Sequence, residues 1–378
     1  MKTDRYPREM RNAFSEALFT GTNQRVGLLH HADADGVCAG VLLTNLLQLR
    51  GASVESRRVA TADFDFESTF SWLRGGRYER VATLDINFLS TSGALEGLRD
   101  AAGCTVAVYD DHDPGDAPKA FEGLHYFNPH AAGLGADFHA PACGFAYALL
   151  EDGDLDGSAA SLVCMIGLVG EGVAGSFGSE FTELKALVDR LRPIAYDLNS
   201  AFSLPDRHTG QDLPRKLLSE ALRAEGASVS EILAEIEAHP VRQQLASNAA
   251  MIDEAVRRTV ASLDRRPNVE TASGLRVHLL HFANEYAIVN WVASQVRQRV
   301  KPGLVVAMQD MPNGRTQIEV RRSRGVKHPD ASALLRSLDD QVAYISRGGH
   351  PPAAGATIPS TEVAAFDAAL RRHAASSL

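Results

Sequence analysis

The chain has 378 residues, of which 45% are hydrophobic, so it can bury sizeable cores and is long enough for two domains. Its formal net charge of -9 and its pI near 5.8 argue against a protein that holds long nucleic acids chiefly by neutralising phosphates. The N-terminus has no apolar signal core, and no apolar run approaches the roughly 20 residues of a membrane span. We therefore expect a cytoplasmic protein without membrane contact.

The first predicted strand and helix enclose a short segment rich in possible metal ligands. A strand over 25–30 is followed by His31, Asp33 and Asp35, and then by a helix that runs to about Leu49. Strand-like alternation directs the three side chains to one side if the turn stays extended. Two carboxylates and an imidazole suit Mn²⁺ or Mg²⁺ better than a metal that prefers thiolates. Both aspartates are equally typical of turns and helix N-caps, so this segment alone leaves two interpretations open.

Two further predicted strands also end in acidic residues. The strand over 80–84 ends at Asp85, and a helix over 89–102 then leads to a strand over 104–109. That last strand is followed by a run of four ionisable residues: Asp110, Asp111, His112 and Asp113. Parallel strands end at one edge of a sheet, where so many carboxylates repel one another unless cations neutralise them. The sequence therefore predicts an α/β domain with a parallel sheet and a dinuclear metal site at its carboxyl edge.

The rest of the chain divides into a helical stretch and a second region of mixed pattern. Helical periodicity over 179–265, with Pro193, Pro205 and Pro214 as boundaries between helices, predicts a helical connector. From residue 266 onward, alternating strands and helices predict a smaller α/β domain that faces the first across a cleft. We thus predict three parts, which span residues 1–178, 179–265 and 266–378.

The order of these motifs resembles the DHH phosphoesterase superfamily, in its RecJ-like and nanoRNase-like branch. Residues 31–36 match the first motif of that family, Asp85 matches the second, and residues 111–113 match the Asp-His-His motif that names it. The match is strongest over residues 25–175. The resemblance implies two divalent cations, with Mn²⁺ favoured and Mg²⁺ as the alternative, and with Asp85 as the bridging ligand. The metal ligands that it implies are His31, Asp33, Asp35, Asp85, His112 and Glu171.

Two positions depart from the family pattern. Asp113 stands where the family has a histidine that contacts the substrate phosphate, while His112 keeps the place of a metal-binding histidine. Glu171 stands where the family has its last metal-binding aspartate, and a glutamate remains an oxygen ligand. An alignment shifted by one residue would instead make Asp111 the ligand. We place Asp113 and Asp111 at the catalytic centre, where Asp113 would orient the substrate or the attacking water.

The C-terminal region resembles the domain that accompanies DHH domains. Residues 348–355 resemble its Gly-Gly-His segment, and residues 319–323 resemble a strand that ends in Arg-Ser and whose arginine binds phosphate. Paired glycines let the backbone approach a ligand closely. We expect Arg321, on the opposite face of the strand, to matter less than its neighbour. The resemblance implies substrate binding by Arg322, Gly348, Gly349 and His350.

The resemblance also implies an activity, the hydrolysis of phosphodiester bonds. The acidic balance of the chain favours short single-stranded oligonucleotides or small nucleotides over long duplexes. Two other interpretations stay open. One is a pyrophosphatase or exopolyphosphatase, and the other is a degenerate nucleotide-binding subunit whose altered motifs no longer support turnover. The oligomeric state is also open, with a homodimer as one option.

Overall fold

The chain folds into two compact units, each with its own five-stranded sheet. The first unit comprises Met1–Leu89 and Gly93–Ala249, and the second comprises Ser90–Ser92 and Ala250–Leu378. The division into three domains at residues 178 and 265 stays a prediction. The computed structural model describes residues 6–19, 21, 23–59, 66–91, 93–112, 122–134, 140–150, 155, 157–173, 182–204, 212–224, 226–263, 268–269, 271, 273–300, 302–323 and 329–377.

The sheet of the first unit is parallel throughout. Its strands are β1 (Arg25–His31), β2 (Ser53–Val59), β3 (Arg80–Leu84), β4 (Thr105–Tyr109) and β5 (Leu124–Phe127). They lie in the order β2-β1-β3-β4-β5, and every neighbouring pair is parallel. The central strand β1 is buried continuously from Val26 to His30, because helices cover both faces of a parallel sheet. The structure confirms the predicted α/β fold class.

Helices of the first unit pack around this sheet. They are α1 (Arg8–Leu18), α2 (Ala34–Leu49), α3 (Phe66–Gly76), α4 (Ala94–Ala102), α5 (Ala142–Ala148), α6 (Gly157–Gly170), α7 (Thr182–Ala201), α8 (Leu213–Ala221) and α9 (Val229–Ala238). The next helix, α10 (Pro240–Ser262), contains the boundary between the units. Two helices, α2 and α6, are apolar on nearly all sides and lie in the same buried core.

Two predicted helix boundaries are wrong, each for a local reason. The helix predicted over 89–102 begins only at Ala94, because Gly93 has a φ of 75° and cannot continue a helix. Pro193 does not separate two helices but lies inside α7. The residues Leu191 and Ile194 on either side of it are both buried, so the apolar face of α7 continues through the proline. This packing offsets the lost backbone hydrogen bond.

The second unit has a mixed sheet. Its strands are β6 (Arg276–Ala283), β7 (Gly303–Asp310), β8 (Arg315–Arg322), β9 (Ser346–His350) and β10 (Ala353–Pro359), in the order β6-β7-β8-β10-β9. Only the β6–β7 pair is parallel. The helices are α11 (Val289–Arg299), α12 (Ala331–Arg336) and α13 (Val363–Ser377). A second, smaller α/β unit is therefore confirmed. Among the helices that the structure describes, none is long and apolar enough to cross a bilayer.

A glycine on α2 tests how tightly this core is packed. A Cβ at Gly40 would lie 2.5 Å from the fully buried ring of His30, whereas a Cβ at Gly157 would meet nothing within 4 Å. We expect Gly40→Ala to lower the free energy of unfolding by about 1–3 kcal/mol, because the ring has no space to move into. Gly157→Ala, the matched control, should be neutral or slightly stabilising. Urea denaturation measures both, and equal stabilities would contradict the packing described.

Candidate functional site

The carboxyl ends of three parallel strands bring five predicted site residues together. Two groups of side chains each have ligand atoms within 4.8 Å of one another, and the two groups share one carboxylate. They are His31, Asp33 and Asp85 in the first group, and Asp85, Asp111 and His112 in the second. All three strands involved, β1, β3 and β4, are hydrogen-bonded neighbours or next neighbours in the sheet. Parallel topology therefore places this cluster at the carboxyl edge.

The first group is organised around the beginning of α2. Asp33 is the N-cap of that helix, because its Oδ1 accepts a hydrogen bond from the backbone N–H of Gly36 at 2.9 Å. Its Oδ2 lies 2.8 Å from His31 Nδ1. Burial opposes ionisation of Asp33, but the attraction of His31 outweighs it and lowers the pKa of Asp33 to about 2. The N-cap interpretation of Asp33 is confirmed by one of its oxygens, while the other oxygen lies in the cluster, where its role as a metal ligand stays a prediction.

Asp85 is the carboxylate that the two groups share. It has a φ of 61°, in the left-handed region, and its backbone N–H donates to the carbonyl of Tyr109 at 2.9 Å. Its Oδ2 lies 3.4 Å from His31 Nδ1 and its Oδ1 lies 4.0 Å from His112 Nδ1. Within the described part of the chain, the buried Oδ2 accepts no well-directed hydrogen bond. Burial and repulsion from Asp33 raise the pKa of Asp85 well above its usual value.

The second group rests on a residue that the sequence interpretation did not place in the site, Asp110. This aspartate is fully buried, and its Oδ1 lies 2.7 Å from His112 Nδ1. Tyr126 on β5 donates its hydroxyl to Asp110 Oδ2 at 3.0 Å, and Asn128 donates its side-chain amide to the carbonyl of His112 at 2.9 Å. Although burial opposes it, attraction to Asp110 raises the pKa of His112 to about 10. A carboxylate in this position fixes the orientation of a metal-binding imidazole.

Asp35 is close to the cluster but belongs to neither group. The turn after β1 does not stay extended, because α2 already begins at Ala34, so Asp35 lies in the first turn of a helix. Its two oxygens accept hydrogen bonds from the backbone N–H groups of Ala142 and Cys143, at 2.8 and 2.9 Å. These N–H groups belong to the first two residues of α5, where the positive end of the helix dipole stabilises a carboxylate. Burial and the charge of Asp33 nevertheless raise the pKa of Asp35 to about 6.

Glu171, the residue after α6, is also outside the two groups. Although it keeps a solvent-accessible side, loss of solvation and repulsion from Asp33 and Asp35 raise its pKa well above the usual value. A bridging side chain, Asn199 of α7, holds the end of α6 near the start of α2. Its Oδ1 accepts from the Ala34 N–H at 2.7 Å, and its Nδ2 donates to the carbonyl of the last α6 residue at 3.5 Å. The predicted catalytic residue Asp113 lies outside the described residues.

The donor set of the cluster fits divalent cations. Carboxylate oxygens and imidazole nitrogens are ligands that Mn²⁺ and Mg²⁺ accept. Burial, together with repulsion from Asp35 and Asp110, raises the pKa of Asp111 to about 8 despite the attraction of His112. The buried Oδ2 of Asp85 has no hydrogen-bond partner among the described residues, and other carboxylates surround it. A positive charge bound beside it would lower the free energy of the folded state. The cluster could therefore bind metal.

The predicted substrate-binding residues of the second unit lie on two strands, β8 and β9, which are separated by β10. In the register of the sheet, Glu319 on β8 pairs with Gly355 on β10, which pairs with Gly348 on β9. A Cβ at Gly355 would lie 3.3 Å from a Glu319 carboxylate oxygen, so this glutamate extends over the glycine. Arg321 lies on the same face, with its Nε 2.6 Å from Glu319 Oε1.

Arg322 has the opposite orientation on β8. Alternation gives it the face of Val320, which is buried in the core of the second unit. The backbone N–H of Arg322, the last residue of β8, donates to the carbonyl of Pro352 at 3.1 Å. Gly349 has a φ of 130°, which only glycine adopts readily. We call the sheet face that carries Gly348 and Gly355 the glycine face. Strand alternation places Arg321 on this face and Arg322 on the opposite one.

Nearly the whole chain is similar to solved structures of other proteins. It matches the exonuclease RecJ bound to manganese with a TM-score of 0.59 and 19% identity, over 98% of this chain and 95% of that one. It also matches a DHH domain from a member of the s1p family of ribosomal proteins, with a TM-score of 0.62 and 15% identity, over 97% and 88% of the two chains. The chain has the DHH phosphoesterase fold.

The chain is also similar to a third solved structure with a different description. This exopolyphosphatase-related protein from Bacteroides fragilis matches with a TM-score of 0.50 and 12% identity, over 97% of both chains. No family model matches the chain, and no curated protein matches it either. The DHH fold is thus established by structure, at sequence identities that leave the substrate to be argued from the site.

Metal binding can be tested without measuring turnover. Cations that bind the folded cluster should raise the free energy of unfolding, by about 2.7 kcal/mol when free Mn²⁺ is about 100 times the Kd. We expect Asp85→Asn to remove most of this stabilisation, because both groups lose their shared carboxylate. Asp100→Asn, a substitution of an exposed residue, is the control. Chemical denaturation at several Mn²⁺ concentrations measures the effect, and an unchanged Mn²⁺ dependence in Asp85→Asn would contradict the assignment.

Proposed function

We propose that this DHH-fold protein is a metal-dependent phosphodiesterase that hydrolyses short single-stranded oligonucleotides or small nucleotides. The observation that carries the proposal is the pair of ligand groups that share Asp85. Two cations with one bridging carboxylate are the usual arrangement for hydrolytic phosphoryl transfer. The DHH-fold neighbours supply a consistent context, since one is an exonuclease solved with manganese.

The chain's own residues would hold two cations, for which we favour Mn²⁺ with Mg²⁺ as the alternative. His31 and Asp33 would bind one of them, Asp111 and His112 the other, and Asp85 both. Bound cations of this kind lower the pKa of a water towards neutrality and polarise the phosphoryl group. Asp35 and Glu171, which we predict as further ligands, add negative charge beside both groups.

Other residues keep this arrangement in place. Asp110 fixes the imidazole of His112, and Tyr126 fixes Asp110 in turn. Asp33 holds its position because it also caps α2. Such preorganisation matters because a ligand that is displaced by about 1 Å weakens catalysis severely. Asp113, next to His112 in sequence, would orient the substrate or the attacking water, as the family resemblance implies.

The glycine face of the second unit would bind a substrate phosphate or base remote from the bond that is cleaved. Arg321 lies on this face two residues along β8 from Glu319, which is level with Gly355 and Gly348. The family resemblance alone assigns substrate binding to Arg322. Strand alternation favours Arg321 for this role, because Arg321 is the arginine that lies on the glycine face. We therefore propose Arg321 as the cation that contacts substrate, with Arg322 as the alternative.

The pairing of Arg321 with Glu319 favours a nucleotide over polyphosphate. A polyphosphate chain carries a charge on every unit and requires several cations that no carboxylate offsets. On the described part of the glycine face, the charge of Arg321 is offset by Glu319 at 2.6 Å. A carboxylate and a guanidinium side by side suit the mixed donors and acceptors of a base or sugar. The exopolyphosphatase activity remains the second candidate because a neighbour of the same fold is related to such enzymes.

A panel of substrates distinguishes the three functional classes. The purified chain with Mn²⁺ is offered a labelled dinucleotide, a longer single strand, pyrophosphate and polyphosphate, and the products are resolved. We expect turnover of the short oligonucleotides, lowered by about 100-fold or more in Asp85→Asn because both metal groups depend on that carboxylate. Asp100→Asn should be unaffected. Turnover of polyphosphate alone would select the phosphatase, and nucleotide binding without turnover would indicate a degenerate subunit.

Paired arginine variants test the glycine face. Arg321→Gln removes a charge-assisted contact and should raise KM for a dinucleotide by about tenfold. Arg322→Gln is the matched control at the adjacent position. It should change KM little, because Arg322 lies on the strand face of Val320, which packs into the core. Steady-state kinetics with both variants gives the answer. The reverse ranking would show that the resemblance-based choice of Arg322 is correct.

The departure at position 113 generates a third set of variants. If Asp113 faces the substrate phosphate, its carboxylate repels that charge, and Asp113→Asn should lower KM. Asp113→His should retain hydrolysis or raise kcat/KM, while His112→Ala should weaken one metal site. Kinetics and Mn²⁺ titration of each variant are required. Undiminished Mn²⁺ binding in His112→Ala, together with weakened binding in Asp111→Ala, would establish the shifted alignment.

A further inference from the structure

A groove on the first unit lies apart from the residues of the metal cluster. It runs between α2, which contributes Thr44, Asn45 and Gln48, and the α8 region, which contributes Arg215, Lys216 and Arg223. Its volume is about 510 Å³, within the range of small-ligand sites. None of the lining residues belongs to either metal group. The groove therefore requires an explanation of its own.

The described residues of the groove have a surplus of positive charge although the chain as a whole is acidic. Among them are three cations and two acids, and both acids have partners. Asp212 lies 3.5 Å from Arg215, and Glu220 lies 2.7 Å from His239. Among the described residues, Lys216 and Arg223 have no carboxylate partner and remain available to an anion.

Neutral polar side chains line other parts of the groove. Asn45 and Gln48 of α2 and Ser219 of α8 are among its lining residues. Their amide and hydroxyl groups are of the kind that hydrogen-bond the hydroxyl groups of a ligand.

These two features describe one kind of ligand. Unpaired cations recognise an anionic group, and neutral amide and hydroxyl side chains recognise hydroxyl groups. Among the described lining residues none is aromatic, so they offer no platform on which bases could stack. That composition favours a sugar phosphate or similar hydroxylated phosphomonoester over a nucleic-acid strand.

The geometry points to a second ligand site, in which this groove binds a small hydroxylated phosphomonoester. Lys216 and Arg223 would bind the phosphate, and Ser219 would hydrogen-bond a hydroxyl. This site is independent of the proposed hydrolytic activity.

Calorimetric titration of the full chain in chelator, which keeps cations from the cluster, tests the site with ribose 5-phosphate as the probe. We expect saturable binding, weakened at least about tenfold by combined Lys216→Gln and Arg223→Gln substitution and unchanged by Arg192→Gln, an exposed arginine elsewhere. Both substituted groove cations are exposed, so the variant should fold, which its thermal unfolding checks. Ser219→Ala should weaken binding while leaving the free energy of unfolding of the free protein nearly unchanged.

Several results would overturn this proposal. They are the absence of binding at about 10 mM probe, equal binding of ribose without phosphate, and binding that the groove variants leave intact but Asp85→Asn abolishes. A fourth is a groove variant that raises KM for a hexanucleotide while the wild-type chain does not bind ribose 5-phosphate. That last result would show that the groove guides a nucleic-acid strand.

Discussion

Repulsion among buried carboxylates is the constraint on which the first unit depends. A parallel sheet directs the ends of all its strands to one edge, and here those ends carry Asp33, Asp85 and Asp111. Without compensation, so many charges in a buried region would oppose folding. The surrounding elements give several of these acids a local source of positive potential. Asp85 lies between the two groups.

The compensation comes from different parts of the chain. The backbone of α2 and the imidazole of His31 stabilise Asp33, and the amides that begin α5 stabilise Asp35. Asp110 pairs with His112. Asp85 lies where the two ligand groups meet. Its shared carboxylate is the point at which bound cations would offset the repulsion that remains.

Much of this arrangement follows from sequence, and the rest depends on contacts that sequence spacing does not contain. Convergence of the strand ends is predictable because parallel strands share an edge. The partners of Asp35 are not, since the amides of α5 lie more than 100 residues away. The choice between Arg321 and Arg322 depends on the exact register of one strand, where a shift of one residue exchanges the faces. The role of Asp110 requires the position of Tyr126 on a strand that sequence patterns did not reveal.

The left-handed backbone of Asp85 affects which residue evolution favours at this position. An aspartate in that conformation is less favourable than a glycine by about 1 kcal/mol, and the fold would gain that free energy from the replacement. Selection for stability alone would therefore remove this carboxylate, whereas selection for the metal binding proposed above would retain it. Among related sequences without that function, position 85 should drift towards glycine or asparagine before the neighbouring helix cap is lost, because Asp33 caps α2 and so serves the fold itself.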